Sequence, residues 1–524
     1  MNAHRLSLHP SLCLAPFALV ALVAAAACGD GSEDDAPGGS VATGGSAGDG
    51  GAAQGGTGGT GGTGGSSGQA GSGGADVPDA ADGGETGGFS GSGGFIPDGG
   101  PGDSGIDVVI DAPIDVEPSP DCDRADALEV DLAAVSSDEE KVSILEDYLV
   151  AIENSDGFPV RCAPYATFFF RLPDGWGHPH VAGDFNGWDA TAAPMTLVAE
   201  DLYQVTLQVD TGPHRYLYKF TDGVHWSADP MARRFGFDAY GEYSLVQGGN
   251  LQGHLERHLG VAGNGLSSRP LTVYLPPGYE ASSQTYPVLY AHDGQNLFDP
   301  QAMWGGWHLD EAVETLLEAN EIQPPIVVGI HNTTARFDEY THVEDVVSGQ
   351  TVGGSGEAYF GLVTTRIMPL IATHYRVKAG PENTWTMGSS LGGLISLYFT
   401  LKHPDVFGRG AGMSSTLGWG SIGADNPTLI EMLPSFGHPD VVLYLDSGGT
   451  NGGGCVDSDG DGILDDNDAA GDNYCETVQM RDALVADGYV FNTDLFHWHE
   501  IGAEHNEAAW RARVALPLRV LAAP

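Results

Sequence analysis

The chain has 524 residues, enough for about two or three buried cores, since one domain usually takes about 100 to 200 residues. Its 71 acidic and 21 basic residues give a formal net charge of −50. A surface so acidic repels phosphates, which excludes nucleic-acid binding through a basic footprint and disfavours contact with an anionic membrane surface.

Residues 1–27 are predicted to be an export signal, with Arg5 in a short polar start and an apolar run over residues 12–27 that is too short to span a bilayer comfortably. The run ends in Ala25-Ala26-Ala27-Cys28, which resembles the lipobox of bacterial lipoproteins. That resemblance implies a lipid on Cys28 and a place at the outer membrane or cell surface. The alternative is a plain secretory signal and a periplasmic or secreted product.

Residues 28–121 are predicted to be a disordered tether. Residues 31–105 hold 31 of the 78 glycines, and 17 acidic residues lie between Asp30 and Asp123. Such a stretch cannot bury enough apolar surface to offset its conformational entropy. The folded part that follows is also acidic.

Residues 122–162 carry a helical pattern of apolar residues and are predicted to form a short helical segment. This segment begins and ends with cysteines. Apart from Cys13 in the signal and Cys28, the cysteines fall into two local pairs, Cys122 with Cys162 and Cys455 with Cys475. In an exported protein two disulfides are expected, and this pairing by proximity is a hypothesis.

Residues 163–248 read as a small β-sandwich, because short aromatic and β-branched runs alternate with Gly, Pro, Asp and Asn. The run from Val181 to Trp188, VAGDFNGW, together with the later runs YLYKF and WSADP, resembles the family 48 carbohydrate-binding module. The resemblance implies an immunoglobulin-like fold. Trp188 and Trp226 are candidates for stacking on the sugar rings of a glycan, and the alternative is that both pack the sandwich or its contact with the next domain.

Residues 249–524 alternate apolar strand-like runs with helical stretches of about 10 to 15 residues, which predicts a mostly parallel sheet covered on both faces. The run Gly388-Ser389-Ser390-Leu391-Gly392 fits G-x-S-x-G at a strand-to-helix junction. Such a turn exposes the central serine at a helix N-terminus, so Ser390 is the candidate nucleophile, against the alternative of an ordinary Gly/Ser-rich turn.

A serine nucleophile needs a base and an orienting acid. His505 follows the last predicted strand and is the candidate base. The acid is expected between serine and histidine in chain order, which leaves Asp446, at the end of a strand, and Asp472, at the start of the next helix.

Residues 250–524 resemble the enterochelin-esterase and feruloyl-esterase group in Tyr274 to Tyr279, in His292-Asp293-Gly294-Gln295 and in the serine and histidine motifs. The resemblance implies an α/β-hydrolase domain and favours Asp472 as the acid. The oxyanion donors are predicted to be the backbone N–H groups of Leu391 and of Gln295, the latter in preference to Gly294. Trp304, Trp307 and Arg336 are expected on loops facing the pocket.

An acidic insertion precedes Asp472. Residues 457–468 place acids at positions 1, 3, 5, 9 and 12 of a 12-residue loop with Gly at position 6, which is the EF-hand pattern with Asp at position 12. The loop also resembles the calcium loops of thrombospondin type 3 repeats and dockerins. It predicts a structural Ca²⁺, and the alternative is an acidic surface loop without metal. The predicted ligands are Asp457, Asp459, Asp461, Ile463 through its carbonyl, Asp465 and Asp468.

The sequence therefore predicts an exported serine esterase without a catalytic cofactor: an α/β-hydrolase domain preceded by an immunoglobulin-like β-sandwich and a disordered Gly-rich N-terminal tether. Feruloyl or acetyl esters on polysaccharide and siderophore-type esters are the candidate substrates. The acidity of the domain argues against a trianionic ferric siderophore. The alternative function is an inactive glycan-binding lipoprotein of the cell surface.

Overall fold

The computed structural model describes residues 120–209, 215–249, 251–424, 426–450, 454–466 and 471–524. The predicted export signal, Cys28, nearly all of the predicted tether and Asp468 lie outside these residues, so the predictions made for them stay predictions. Within the described ranges, no helix is both long and apolar enough to cross a membrane.

Two helices open the described chain, α1 (Pro120–Ala134) and α2 (Asp138–Glu153). Ser137 caps α2, because its hydroxyl accepts a hydrogen bond from the Glu140 N–H. The buried apolar residues of α2 pack with Phe169 and Leu202 of the following strands; they are Leu145, Tyr148, Leu149 and Ile152. The Cys122–Cys162 disulfide joins α1 to the first strand, as the pairing hypothesis predicted.

The next nine strands form two sheets that face each other. One sheet has the antiparallel order β1-β2-β5-β4 and the other the order β3-β6-β9-β8, with β7 paired to β6. Their inner faces share a core in which the Phe168 ring lies 4.9 Å from Tyr218 and the Phe170 ring 4.3 Å from Phe220. The strands are β1 (Val160–Cys162), β2 (Tyr165–Arg171), β3 (His180–Gly183), β4 (Thr196–Ala199), β5 (Leu202–Gln208), β6 (Leu217–Thr221), β7 (Trp226–Ser227), β8 (Arg234–Asp238) and β9 (Gly241–Leu245).

The second of these sheets continues without a break into the large sheet of the C-terminal part, because β8 pairs with β10. Beyond β10 the order is β11, β13, β12, β16, β17, β18 and β21. The pairs up to β13 are antiparallel and the rest are parallel. The strands are β10 (His254–Gly263), β11 (Leu266–Leu275), β12 (Val288–His292), β13 (Ile326–Ile330), β16 (Thr384–Ser389), β17 (Arg409–Met413), β18 (Val442–Ser447) and β21 (Leu495–His499).

Helices cover both faces of this sheet, since successive strand residues point to opposite sides. Val288 of β12 packs in a core with α5 to α9, whereas its neighbour Leu289 packs in a second core with α3 and α11. The helices are α3 (Leu309–Glu318), α4 (Arg336–Glu339), α5 (Gly356–Leu362), α6 (Met368–His374), α7 (Leu391–Lys402), α8 (Leu429–Phe436), α9 (Tyr474–Asp487), α10 (Glu507–Arg513) and α11 (Ala515–Leu521). Two short hairpins are β14 (Glu344–Val347) with β15 (Gln350–Gly353), and β19 (Cys455–Val456) with β20 (Asp465–Asp466).

This strand order and helix placement are those of an α/β-hydrolase, as the sequence predicted. After β12 the chain adds β13 on one side of that strand and then β16 on its other side, so the order of strand addition switches at β12. In open α/β sheets a ligand site forms beyond the carboxyl ends of the strands at such a switch point. A ligand site is therefore expected at the loops that follow β12, β16, β17, β18 and β21.

Candidate active site

Ser390 occupies a strained turn between β16 and α7. Its φ of 56° and ψ of −125° lie in a region that non-glycine residues seldom adopt. The turn depends on glycine, because a Cβ on Gly388 would lie 2.5 Å from the Gly392 carbonyl carbon. The sequence thus folds locally into the tight strand–turn–helix that G-x-S-x-G predicts, with the partly exposed Ser390 at the N-terminus of α7.

His505 and Asp472 form a hydrogen-bonded pair. The distance from His505 Nδ1 to Asp472 Oδ1 is 2.5 Å, and the Asp472 side chain is 1% exposed. Because Nδ1 faces a carboxylate, it carries the proton of a neutral imidazole and Nε2 is left to accept one. The pair has the geometry of a general base with its orienting acid.

The other acid that the sequence left open, Asp446, has different partners. Its carboxylate accepts hydrogen bonds from Arg513 Nε at 3.1 Å and from the Tyr444 hydroxyl at 3.0 Å. Burial raises the pKa of Asp446 to about 6, although Arg513 and Tyr444 lower it. The hydrogen bond to His505 belongs to Asp472, so the geometry favours Asp472 over Asp446 as the acid.

The loop after β17 connects the serine turn to this acid. The Ser390 N–H donates to the Met413 carbonyl at 2.9 Å, and the Thr416 N–H donates to the Ser390 carbonyl at 3.3 Å. Between them, the Ser414 hydroxyl donates to Asp472 Oδ2 at 2.6 Å. In the described part of the chain the side-chain partner of Ser390 Oγ is Thr416 Oγ1, at 3.4 Å, rather than His505. Catalytic hydrogen bonds of this kind often form only when substrate binds.

Two backbone N–H groups are available to stabilise an oxyanion. Those of Leu391 and Gln295 donate to no carbonyl or side-chain acceptor among the described residues. Gln295 lies in the short helical turn Gly294–Asn296 and is partly exposed. Gly294 is buried, with its Cα packed against Gly329. The arrangement agrees with the preference for Gln295.

An ion pair fixes the loop that carries Gln295. Arg336 holds both carboxylate oxygens of Asp293, each at 2.9 Å, and the Asn332 N–H donates to the Gln295 side chain at 3.1 Å. Burial raises the pKa of Asp293, but the charge and hydrogen bonds of Arg336 and the hydrogen bond from Asn332 together lower it, and the net shift is downward. Arg336 is therefore engaged in positioning the loop rather than free to bind substrate.

The two tryptophans predicted to face the pocket differ in exposure. Trp307 is 2% exposed and packs its ring 6.0 Å from that of Trp510, so it belongs to the core. Its side chain therefore offers little surface to a substrate. Trp304 is 54% exposed.

The acidic insertion brings three of its predicted ligands together. Carboxylate oxygens of Asp457, Asp459 and Asp461 lie within 4.8 Å of one another. Such an all-oxygen donor set fits a hard cation such as Ca²⁺. Asp465 lies in the same loop, where its carboxylate accepts from the N–H and hydroxyl of Ser458. The Cys455–Cys475 disulfide closes this loop onto α9, as the pairing hypothesis predicted.

The two candidate glycan-binding tryptophans lie next to each other on the N-terminal sandwich. The Trp188 and Trp226 rings are 6.3 Å apart and inclined by 40°. Trp226 is 45% exposed, and Trp188 donates its indole N–H to Asp184 at 2.9 Å. Trp226 is therefore not a core residue.

Residues 267–454 match the family model described as "Putative esterase". The matched segment contains Ser390 and ends before Asp472 and His505. This part of the chain is thus esterase-like in sequence.

The chain is similar to several curated proteins, and two of them follow. The uncharacterized protein YbbA of Bacillus subtilis (strain 168) is 33% identical over 162 residues, which is 30% of this chain and 59% of that protein. The endo-1,4-beta-xylanase/feruloyl esterase of Xylanibacter ruminicola is 24% identical over 294 residues, which is 50% of this chain and 37% of that protein. The chain therefore spans less than two thirds of the length of either relative.

Solved structures of similar chains include the enterobactin esterase of Shigella flexneri, which is 17% identical. That similarity covers 68% of this chain and 93% of the other, with a TM-score of 0.38. A ferulic acid esterase, also 17% identical, covers 52% of this chain and 99% of its own, with a TM-score of 0.37.

Proposed function

We propose that the protein is a serine esterase that hydrolyses carboxylic esters through Ser390, His505 and Asp472. The observation that carries the proposal is the hydrogen-bonded His505–Asp472 pair, joined through the loop after β17 to a strained serine turn. The esterase family match over residues 267–454 supports the same activity.

In the first half of the reaction, Ser390 Oγ attacks the ester carbonyl carbon and gives its proton to His505 Nε2. The carbonyl oxygen becomes an oxyanion that accepts hydrogen bonds from the Leu391 and Gln295 N–H groups. Asp472 stabilises the imidazolium that forms. When the carbon–oxygen bond to the alcohol breaks, His505 returns the proton to the leaving alkoxide, and an acyl-Ser390 ester remains.

In the second half, water attacks the acyl carbonyl and gives one proton to His505 Nε2. The oxyanion forms again in the same place. His505 then protonates Ser390 Oγ as the acyl–serine bond breaks, which releases the carboxylic acid and restores the serine.

Replacing the nucleophile tests this activity. Ser390→Ala is expected to lower kcat for p-nitrophenyl acetate hydrolysis by about 10⁵- to 10⁶-fold. The matched control is Ser389→Ala, since Ser389 is buried at the end of β16 and has no part in the mechanism. Hydrolysis by Ser390→Ala at the wild-type rate would refute the proposal.

For the substrate we favour neutral esters, such as feruloyl or acetyl groups on polysaccharide, over a siderophore trilactone. Arg336, whose guanidinium contacts the oxyanion loop, is already neutralised by Asp293. A polyanionic substrate would meet the carboxylates of Glu507 and Asp293 at this loop, where the Arg336 charge is already balanced. A panel of feruloyl, acetyl and trilactone esters measures the preference as a ratio of kcat/KM values.

We further propose that residues 457–468 bind a structural Ca²⁺ that orders the segment leading to Asp472. The loop is tied to α9 at several points: Asp466 accepts from the N–H groups of Tyr474 and Cys475, and Gln479 bonds to both Gly462 and Leu464. A cation at Asp457, Asp459 and Asp461 would stiffen a loop that is continuous with the triad acid. The ion would hold structure and take no part in the acyl transfer.

Export and lipid attachment through Cys28 are also proposals, supported by the sequence of residues 1–28 and by the two disulfides. Growth with a radiolabelled fatty acid tests them. Label on the wild type and none on Cys28→Ser is the expected result, whereas an unlabelled exported wild type indicates simple secretion.

A second function, glycan binding by the sandwich, is favoured by the adjacent Trp188 and Trp226 rings. An exposed indole offers a flat apolar face to the C–H face of a sugar. This binding would hold the esterase on polysaccharide, or would be the sole activity if Ser390 proves inert.

A further inference from the structure

A buried network of three charged side chains lies behind the His505–Asp472 pair. Arg513 of α10 is 3% exposed and contacts two carboxylates. Its Nε lies 3.1 Å from Asp446 Oδ1, and its Nη2 lies 3.4 Å from Asp472 Oδ2. One guanidinium therefore joins the triad acid to a second buried carboxylate that makes no contact with His505 in the described structure.

The Ser414 hydroxyl links Arg513 to Asp472, and the donors that surround it fix the direction of its own proton. Its hydroxyl accepts from Arg513 Nη2 at 2.6 Å and from the Trp510 indole N–H at 3.1 Å. The single hydroxyl proton is then free to be donated to Asp472 Oδ2, at 2.6 Å. The Gly448 N–H donates to the same oxygen, also at 2.6 Å. Asp472 Oδ2 is thus fully engaged, and Oδ1 is left to face His505.

The charges of the network bear on how His505 works. With both carboxylates ionised, the three groups sum to one negative charge. If Asp446 were neutral, Arg513 would act on Asp472 alone and would weaken the attraction of that carboxylate for an imidazolium. The burial of Asp446 and the proximity of Asp472 both raise the pKa of Asp446, which Arg513 opposes. The protein keeps this carboxylate in its interior despite the cost of burying a charge.

We propose that Arg513 and Asp446 are positioning residues of the triad, and that Asp446 sets the pH range of catalysis by balancing the charge of Arg513 beside Asp472. The proposal rests on the proposed esterase function. Helix α10 then contributes to catalysis as well as to packing, because its Arg513 and Trp510 side chains donate to Ser414, which in turn donates to the triad acid.

Other ionisable groups lie near His505 or near Glu507, which interacts with it, and they stay unchanged in the test. Burial raises the pKa of Glu507, which lies on α10, and the nearby charges of His505 and Arg336 offset only part of this rise. Asp293 and Arg336 form their ion pair beside Glu507. Glu504 lies in the His505 loop and accepts a hydrogen bond from Asn506.

The test is the acid limb of kcat/KM against pH for ester hydrolysis, which reports the essential base of the free enzyme. Asp446→Asn removes a negative charge and leaves Arg513 unbalanced, so His505 holds a proton less tightly. The acid limb is expected to move to lower pH by about 0.5 to 1 unit. A residue that served only to pack the core would lower activity at every pH without moving the limb.

Two double variants separate charge from shape. Asp446→Asn with Arg513→Met restores the sum of one negative charge, and its limb is expected to return towards the wild-type position. Asp446→Asn with Arg513→Lys keeps the positive charge, and its limb is expected to stay low. Thermal melting of each variant verifies that it is folded. If the Met variant does not fold, Asp446→Asn alone and with Arg513→Lys still decide the outcome.

An acid limb that stays at the wild-type pH in Asp446→Asn would overturn the inference, as would equal limbs in the Met and Lys double variants. Failure of the proposed function is a different result. It would appear as hydrolysis that survives Ser390→Ala, whatever the position of the acid limb.

Discussion

The assignment of Asp472 as the triad acid leads to a sharp prediction for Asp472→Asn. In the wild type, Asp472 Oδ2 accepts from Ser414, Gly448 and Arg513, while Oδ1 accepts from His505 Nδ1. Asparagine must place its carbonyl oxygen where those three donors converge. Its NH₂ group then faces His505, which forces the proton onto Nε2 and blocks the acceptance of the Ser390 proton.

The size of the loss follows from two contributions. A carboxylate and an imidazolium whose charges lie about 4 Å apart attract by about 4 kcal/mol at an effective dielectric constant of about 20. At about 1.4 kcal/mol for each power of ten, losing this attraction slows the reaction about 10³-fold. The wrong tautomer adds to this, and the total loss in kcat is expected to be about 10⁴-fold.

The assay is the initial rate of p-nitrophenyl acetate hydrolysis at pH 8, with circular dichroism as a check that the variant is folded. Asp446→Asn is the matched control, because this buried aspartate has no hydrogen bond to His505 in the described structure. Its kcat is expected to fall by no more than about tenfold, since the carboxylate acts only through Arg513 and Asp472. Asp472→Asn within tenfold of the wild type, or Asp446→Asn with a loss of about 10⁴-fold, would refute the reasoning.

Three further predictions concern the calcium loop, acid stability and the sandwich. With Ca²⁺ at about 100 times its dissociation constant, the bound ion adds about 2.7 kcal/mol to the free energy of unfolding. A chelator is therefore expected to lower the melting temperature of the wild type by about 5 to 10 °C. It is expected to have no effect on the double variant Asp457→Asn/Asp459→Asn. An equal effect on both proteins, or none on the wild type, would contradict the calcium proposal. Burial lowers the pKa of His292 in the folded protein to about 3. In the unfolded chain the same side chain binds a proton as the pH falls below about 6.5, so the folded state loses stability below that pH. Chemical unfolding is therefore expected to show that the stability advantage of the wild type over His292→Gln shrinks by about 2 kcal/mol from pH 7 to pH 5, and a constant difference would contradict this. Trp226→Ala is expected to weaken binding to soluble polysaccharide by about fivefold or more in calorimetry, relative to Tyr240→Ala as a surface control. Equal losses in the two variants would contradict stacking.

The features that could be predicted from sequence are local ones. The turn at Ser390 follows from glycines two residues either side of it, because no other residue fits the approach of Gly388 to Gly392. Helix α2 follows from its apolar stripe and its Ser137 cap. Strand–helix alternation after residue 249 predicted the sheet and its two covered faces.

What sequence could not predict depends on contacts between distant parts of the chain. Ser414 and Arg513 are 99 residues apart in sequence and belong to no motif, yet both donate hydrogen bonds to the carboxylate of Asp472. The choice between Asp446 and Asp472 likewise depended on which carboxylate reaches His505. Helix α1 lies almost wholly inside the segment predicted to be helical, but as a separate helix it has no sequence signal: its acidic sequence lacks an apolar stripe, and Leu128 is its buried hydrophobic residue among those described.

The sandwich and the α/β sheet share a strand pair that no sequence pattern signals. Residues Leu255 of β10 and Phe235 of β8 are paired, which makes one continuous sheet. Periodicity identifies strands but does not identify their partners.

The central claim is that Ser390 is an activated nucleophile, and labelling by a fluorophosphonate ester measures this directly. The wild type is expected to gain one phosphonyl group by intact-mass spectrometry, on the peptide that contains Ser390, at a rate that falls with Asp472→Asn. The Ser390→Ala variant is expected to gain none. A folded wild type that stays unlabelled, or a label that remains in Ser390→Ala, would contradict the account.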